Sequence, residues 1–217
     1  MTITTPSARI ELAALEGYDA LQFLERVGRL AWKSEEKATA DSAPRFVQML
    51  MDKGHESVLE HLSVSVRFIV DRGISHEIVR HRIASFTQES TRYCDYAKAG
   101  SVEFIFPPFW DDDSLKYGDW LHAMAIVEQA YNSLREAGAT PQEARSVLPN
   151  SLKTELVMTA NLREWRHFFK LRTAKAAHPQ MREVTIPLLT EFQRRFPVVF
   201  SDIGVFDKEY EATFVNV

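Results

Sequence analysis

Residues 80–92 read RHRIASFTQESTR, so two arginines flank a histidine just before a run rich in hydroxyl and amide side chains. Guanidinium groups bind phosphate or carbonyl oxygens through paired N–H donors, serine and threonine hydroxyls add donors, and histidine titrates near neutral pH. The stretch is therefore typical of a loop that binds an anionic ligand with a polar ring. A solvated, charged helix end is the alternative that the spacing leaves open.

The segment before this stretch predicts a strand followed by a short helix. Residues 62–70 alternate between apolar and mainly polar side chains, which is the period of a strand with one buried face. Asp71 is a candidate N-cap, and Ile74 and Ile78 give the next segment an apolar helical face. The basic side chains follow at the C-terminal end of this helix, and residues 85–90 are expected to form a loop.

The same periodicities predict a mixture of helices and strands along the rest of the chain. Further strands are expected over residues 8–13, 93–96, 102–106 and 152–160. Further helices are expected over residues 18–32, 44–54, 114–137 and 141–149, and from Asn161 onward. In the last of these, the apolar side is expected to carry Trp165, Phe168, Phe169 and Leu171.

A chain of 217 residues is long enough to bury a core within one domain. We therefore predict a single domain over residues 1–217 with an α+β fold, in which a mixed or antiparallel sheet is flanked by helices. The helix over 114–137 is amphipathic and long enough to act as a scaffold or oligomer helix.

Charge and cysteine content exclude several classes of protein. Lys and Arg number 26 against 30 Asp and Glu, and the net charge of -4 argues against general nucleic-acid binding. The charge balance is reversed between Arg72 and Arg92, because this stretch contains four arginines and only two acidic residues, Glu77 and Glu89. Cys94 is the only cysteine, so no internal disulfide framework can form.

These features predict a soluble, cytoplasmic protein. A lone cysteine fits a reducing compartment. Residues 1–9 have no apolar signal-peptide core, and no run approaches the roughly 18 apolar residues of a membrane span. We expect no membrane partner and no nucleic-acid partner.

No metal site is expected. His55, Glu56 and His61 are spaced too widely for both imidazoles to share one helical face. The run over residues 111–113 is three aspartates, which could ligate magnesium but more simply complement the dipole of the helix that follows.

Four blocks of the sequence together resemble one enzyme family. Arg80-His81-Arg82, followed by seven residues and Ser90, resembles the RHR-x7-S signature of the flavin-dependent thymidylate synthases. The segments HESVLEH at 55–61, Asn161-Leu162-Arg163 and Leu171-Arg172 follow in the same order as in that family. The resemblance spans residues 21–195, which is most of the chain.

This resemblance implies an enzyme that reductively methylates dUMP to dTMP. It implies FAD as hydride carrier, NADPH as reductant and methylenetetrahydrofolate as one-carbon donor. It also implies a homotetramer whose active sites are shared between subunits. The demanding chemistry would belong to the flavin, while the protein supplies position and charge.

The resemblance also assigns roles to individual residues. Arg172 is expected to be catalytic, because its guanidinium would stabilise negative charge on the uracil N3 and carbonyl edge. Flavin-binding positions are Ser57, Glu60, Arg80, His81, Arg82, Gln88, Asn161, Arg163 and His167. Substrate-binding positions are Glu77, Arg80, Gln88, Glu89, Ser90, Thr91, Arg92, Arg145 and Arg172.

The chain departs from the family pattern at several of these positions. Thr87 and Gln88 stand where some members have Asn and Glu, Glu77 where some have Gln, and His167 where some have Asn. All keep hydrogen-bonding capacity, so the change lies in charge and proton donation.

Two other classes of protein remain as alternatives. One is a flavin-binding or nucleotide-binding protein without turnover. The other is a non-enzymatic module that binds RNA or phosphate, against which the acidic net charge argues.

Overall fold

The computed structural model describes residues 1–204, which contain both β-strands and α-helices. The described strands are β1 (Thr2–Thr4), β2 (Ser7–Ala13), β3 (Ser63–Asp71), β4 (Ser85–Gln88), β5 (Glu103–Ile105) and β6 (Lys153–Asn161). The described α-helices are α1 (Gly17–Leu30), α2 (Ala43–Asp52), α3 (Arg72–Ile78), α4 (Leu115–Glu136), α5 (Pro141–Ala144), α6 (Leu162–Arg172), α7 (Pro179–Arg195) and α8 (Pro197–Phe200). Short 3₁₀ helices lie over Glu35–Lys37, Glu56–His61 and Arg145–Val147.

Two sheets organise the strands. Four strands form one sheet in the order β2-β3-β6-β4, and β1 pairs with β5 in a parallel two-stranded sheet. Together with the helices, these sheets give an α+β fold, and the predicted fold class is confirmed.

The chain divides into two compact units. Unit 1 contains Met1–Ser7, Phe68–Arg80 and Phe86–Val157. Unit 2 contains Ala8–Arg67, His81–Ser85 and the described residues from Met158 onward. The prediction of a single domain over 1–217 includes residues 205–217, which lie outside the described part of the chain, and it stays a prediction.

Strand β3 and helix α3 follow the sequence prediction. Val64, Val66, Phe68 and Val70 are each at most 1 % exposed, so alternate side chains of the strand are buried. The carboxylate of Asp71 accepts a hydrogen bond from the backbone N–H of Ile74 at 2.7 Å, which caps α3. An alternating apolar pattern and a capping residue are local signals, and this is why the sequence locates both elements.

Helix α6 also begins where predicted, but one residue of its apolar side is misplaced. Asn161 caps the helix, and Trp165, Phe168 and Phe169 are fully buried. Leu171 is 49 % exposed, so its assignment to the buried side is wrong. It lies six residues after Trp165, which is about 240° around a helix of 3.6 residues per turn. Arg172 occupies the position that continues the buried face.

The core of unit 2 is a cluster of aromatic rings on helices α6, α7 and α8. Trp165 packs against Phe169 and Phe192 with ring centroids 5.8 and 5.2 Å away. Phe200 joins the same cluster at 5.1 Å from Phe192. The indole N–H of Trp165 donates to the carbonyl oxygen of Val64 at 3.0 Å, which ties α6 to β3.

The core of unit 1 lies under the long helix α4. The predicted helix over 114–137 is confirmed, with the Ser114 hydroxyl capping its first turn. Tyr131 and Met124 are the buried residues of α4, and they pack in a cluster with Phe104, Val102 and Leu152.

Two of the secondary-structure predictions in and just after residues 80–92 are wrong. Residues 93–96 form a turn and not a strand, because the backbone N–H groups of Tyr93 and Cys94 both donate to the carbonyl oxygen of Ser90. Residues 85–88 form strand β4 and not a loop, since they pair at the edge of the four-stranded sheet beside β6. Tertiary pairing therefore overrides the local signals of polar residues here.

A buried carboxyl group on α7 predicts a pH-dependent stability. The Glu183 Oε2 atom has no hydrogen-bond partner within residues 1–204, and burial raises the pKa of this carboxyl to about 7. The fold favours the protonated form, so its contribution is greatest below the unfolded pKa near 4.5 and is lost as the pH rises to about 7. Glu183→Gln is therefore expected to stabilise the protein at pH 8 by about 1–2 kcal/mol, allowing for partial solvent exposure.

Thermal unfolding of Glu183→Gln at pH 5 and pH 8 measures this effect, which is expected as a gain of about 3–6 °C at pH 8 and little change at pH 5. Glu191→Gln is the matched control on the same helix. Hydrogen bonds from Arg194 and Arg195 lower the pKa of Glu191 to about 2, so its removal should destabilise at pH 8. Equal losses of stability in both variants at pH 8 would contradict the assignment.

Candidate active site

His81 is the centre of a group of contacting side chains in unit 2, the His81 cluster, whose other members are Glu164 and Arg172, which contact it by hydrogen bonds, and His167 and Phe168, which contact it through their rings. The His81 ring is 5 % exposed. Its Nδ1 lies 3.2 Å from Glu164 Oε1, and its Nε2 receives a hydrogen bond from Arg172 Nε at 3.0 Å. A guanidinium group only donates, so Nε2 must be the acceptor and Nδ1 must carry the proton. The neighbours thus define the tautomer of His81.

Burial keeps His81 neutral. Desolvation, followed by electrostatic interactions with Arg172 and His167, lowers the pKa of His81 to about 4. Burial also raises the pKa of Glu164, and the electrostatic interaction with His167 opposes that rise. The contact between His81 and Glu164 is therefore a hydrogen bond from a neutral imidazole, and not an ion pair, at neutral pH.

Aromatic contacts fix the plane of the His81 ring. Phe168 meets it edge-on with centroids 4.9 Å apart, and His167 does so at 5.7 Å. Glu164, Phe168 and Arg172 recur every four residues on α6, so they share one helical face below the imidazole.

Three side chains of this cluster lie close enough together to be considered as metal ligands. Ligand atoms of His81, Glu164 and His167 lie within 4.8 Å of one another. Both ring nitrogens of His81 are already used, however, and the guanidinium group of Arg172 is a cation in direct contact with the same ring. Both facts oppose metal binding, and the absence of a metal stays a prediction.

Two of the other predicted flavin positions of unit 2, Asn161 and Arg163, lie at the start of α6. Arg163 pairs with Glu60 at 2.5 Å, and both side chains are about half exposed. Asn161 Oδ1 accepts from the backbone of Glu164 at 2.9 Å, which leaves its amide N–H groups for a ligand. Ser57 and Arg82 are exposed, and the Arg82 side chain makes no hydrogen bond or ion pair within residues 1–204.

A second hydrogen-bonded group lies in unit 1. The Gln88 amide nitrogen donates to Ser75 Oγ at 2.9 Å and to Thr154 Oγ1 at 3.2 Å. The Ser75 hydroxyl in turn donates to the carbonyl oxygen of Arg72 at 2.9 Å. Both amide hydrogens of Gln88 are therefore used, and its carbonyl oxygen is oriented as an acceptor. We name Gln88, Ser75 and Thr154 the Gln88 cluster.

Four of the remaining substrate-binding candidates of unit 1 take part in side-chain hydrogen bonds. Arg145 Nη1 donates to the Thr91 hydroxyl at 3.2 Å, and Arg92 Nε donates to Gln142 Oε1 at 2.9 Å. Glu89 accepts a hydrogen bond from the Tyr96 hydroxyl at 2.8 Å.

The last three substrate-binding candidates of unit 1 are Glu77, Arg80 and Ser90. The Ser90 hydroxyl accepts from the backbone N–H of Arg92 at 3.3 Å. Glu77 and Arg80 lie in and just after the last turn of α3, where Arg80 is exposed.

Comparison with known proteins identifies the family. The family model described as thymidylate synthase complementing protein matches residues 4–198. A flavin-dependent thymidylate synthase of Corynebacterium glutamicum is 32 % identical in an alignment that covers 93 % of this chain and 86 % of the relative. The chain belongs to the flavin-dependent thymidylate synthase family. The resemblance recognised in the sequence is thus confirmed, as is the expectation of an enzyme of this family.

Other members and a solved structure agree with this placement. Flavin-dependent thymidylate synthases of Geobacter sulfurreducens and Pyrococcus abyssi are 32 % and 35 % identical, covering 92 % and 76 % of this chain and 82 % and 69 % of those proteins. A UMP/dUMP methylase, PolB from Streptomyces cacaoi bound with 5-Br dUMP, superposes with a TM-score of 0.76 at 22 % identity, over 93 % of this chain and 96 % of that one. The structural likeness shows that the fold is shared.

Family motifs did not reveal every residue of these clusters. Glu164, Ser75 and Thr154 were absent from the sequence predictions, although each is buried and hydrogen-bonded to a predicted site residue. The available signal was a polar residue at a position that the helical or strand period places on the buried face.

Residues 1–204 contain no helix that is both long enough and apolar enough to span a membrane.

Proposed function

We propose that this protein reductively methylates dUMP to dTMP, with methylenetetrahydrofolate as one-carbon donor, FAD as hydride carrier and NADPH as reductant. The observation that carries the proposal is the hydrogen bond from Arg172 to the neutral ring of His81, in a chain with the RHR-x7-S signature. It gives the guanidinium of Arg172 a defined orientation, as recognition of a planar pyrimidine requires.

Arg172 is the proposed catalytic residue. Its guanidinium group would donate to the uracil N3 and carbonyl edge and stabilise negative charge that develops there, which makes C5 and C6 of the ring more reactive. Because His81 is neutral, it accepts a hydrogen bond from Arg172 without adding a second positive charge.

The donor set of the protein fits a flavin with a diphosphate. Arg80, Arg82 and Arg163 are exposed guanidinium groups suited to phosphate oxygens, and the Asn161 amide suits a ring carbonyl. We propose that Ser57, Glu60, His81, Gln88 and His167 complete this site. When bound, the reduced flavin supplies the hydride for the methylation.

Substrate binding is proposed for residues of unit 1. Arg145 and Arg92 would bind the nucleotide phosphate with the Ser90 and Thr91 hydroxyls, since Arg145 and Thr91 are already in contact. Glu77, Arg80, Gln88 and Glu89 would contact the sugar and base, where the carbonyl oxygen of Gln88 accepts a hydrogen bond. We further propose a cytoplasmic homotetramer whose active sites are shared between subunits.

The purified protein tests this proposal directly. We expect flavin bands in its visible spectrum, bleaching of those bands by NADPH, and dTMP formation only when dUMP and methylenetetrahydrofolate are both present. A yellow protein that binds dUMP without forming dTMP would point to a binding protein without turnover. A colourless protein that binds no added FAD would overturn the proposal.

Arg82→Ala is expected to purify with less than about half of the wild-type flavin. The side chain is an exposed cation without a partner in residues 1–204, so its removal costs phosphate binding and not folding. The ratio of flavin to protein absorbance measures the loss. Arg45→Ala, at another exposed arginine of unit 2, is the control and should keep its flavin. Full flavin content in both variants would remove Arg82 from the site.

Cys94→Ser is expected to retain most dTMP synthesis. Cys94 is partly buried against the apolar core under α4, and hydride delivery from flavin makes a protein thiolate unnecessary. Initial rates of dTMP formation measure the outcome, and Cys94→Ala separates any cost of burying a hydroxyl. If both variants bind FAD and dUMP yet form no dTMP, the mechanism must include the thiol.

A further inference from the structure

We propose that Glu164 is a positioning residue that sets the tautomer of His81 and, through it, the orientation of Arg172. This inference rests on the proposed function for its link to catalysis. Its structural basis is the chain of two hydrogen bonds that runs from Glu164 through the His81 ring to Arg172.

The geometry makes the imidazole a bridge between the two ends of α6. Glu164 lies in the first turn of the helix and Arg172 in the last, about 12 Å apart along its axis at 1.5 Å per residue. His81 meets one side chain with each ring nitrogen, and Phe168 packs against the ring midway between them. The His81 ring therefore links Glu164 to Arg172 through one hydrogen bond at each of its nitrogens.

The acceptor character of Glu164 selects one of two tautomers. An isolated neutral imidazole can carry its proton on either nitrogen. A hydrogen bond made by one nitrogen determines whether the other nitrogen is protonated. The Glu164 carboxylate holds the proton on Nδ1, which leaves Nε2 as the acceptor for Arg172 Nε–H. With the proton on Nε2, two donors would face each other and Arg172 would be displaced.

The position of Glu164 suits a role that acts through His81 and does not suit direct contact with flavin or substrate. It is 7 % exposed, whereas the neighbouring Arg163, a proposed flavin contact, is exposed. The Glu164 backbone is held by the Asn161 cap at 2.9 Å, so the position of its side chain is anchored at the helix start. Among residues 1–204 the carboxylate of Glu164 contacts the neutral His81 and forms no ion pair with Lys or Arg, so its burial costs stability, as expected for a residue retained for function.

The variant Glu164→Gln keeps the side-chain shape and removes the charge that selects the tautomer. Its amide can present its oxygen or its N–H group to His81 Nδ1, so this contact no longer excludes the Nε2–H tautomer, which is then opposed only by the donor of Arg172. We expect kcat for dTMP formation to fall at least about tenfold, with flavin content and thermal midpoint close to wild type. Glu183→Gln, which removes a buried carboxyl elsewhere in unit 2, is the matched control and should leave kcat unchanged.

Two readouts separate positioning from a purely structural role. Ring-nitrogen chemical shifts of ¹⁵N-histidine-labelled protein should report a single Nδ1–H tautomer of His81 in the wild type and a mixture in Glu164→Gln. Glu164→Gln should also have little further effect on kcat in an Arg172→Lys background, because residues that act through one another are not additive.

The outcomes decide the proposal in each case. An unchanged His81 tautomer in Glu164→Gln, or effects on kcat that multiply in the double variant, would overturn it. If the wild type forms no dTMP, the proposed function fails, but the tautomer measurement still supports or rejects Glu164 as the residue that positions His81.

Discussion

Arg172→Lys is expected to lower kcat for dTMP formation by about a hundredfold or more, because removing one well-placed donor to a developing negative charge typically costs about 10²–10³ in rate. Lysine keeps the charge but lacks the planar fork of arginine. Its single ammonium group cannot reproduce the 3.0 Å hydrogen bond to His81 Nε2 while also spanning the edge of a uracil ring.

Folding should survive this substitution. Arg172 lies at the C-terminal end of α6, where a lysine keeps the favourable interaction with the helix dipole. Steady-state rates with saturating dUMP, together with the thermal midpoint, measure both expectations. Arg194→Lys, at an exposed arginine paired with Glu191, is the control for the chemical change alone. An unaltered rate in Arg172→Lys would remove this residue from the mechanism.

Trp165→Ala is expected to cost about 3–5 kcal/mol of unfolding free energy, the usual range for truncating a buried aromatic side chain. The indole is fully buried among Phe168, Phe169 and Phe192, so its removal leaves a cavity that these rings cannot refill. It also leaves the carbonyl oxygen of Val64 without its indole donor. A loss of this size is a large share of a typical stability of about 5–15 kcal/mol.

Denaturant unfolding of Trp165→Ala and Trp165→Phe separates the two contributions. The Phe variant keeps most of the aromatic packing and loses the hydrogen bond, so about 1–2 kcal/mol is expected. If alanine costs no more than phenylalanine does, then packing of the indole contributes little and the core of unit 2 depends on other contacts.

Most of the secondary structure was predictable because its signals are local. Alternating apolar residues located β3, Asp71 marked the start of α3 as a candidate N-cap, and α4 and α6 begin within one residue of the predicted starts at Ser114 and Asn161. The family signature was equally visible, since it depends on residue identity and spacing alone. The family and the α+β class could therefore be predicted from the sequence alone.

The sequence by itself thus determined the family, the fold class and the residues of its motifs. Only the tertiary structure decided that residues 85–88 form an edge strand, that Leu171 faces solvent and that Glu164 contacts His81. The physical reason is the sequence distance over which these contacts form. Glu164 is 83 residues from His81, and Arg172 is 91. Helical and strand periodicities act over a few residues, so they show which face a side chain lies on but not which distant group it meets there.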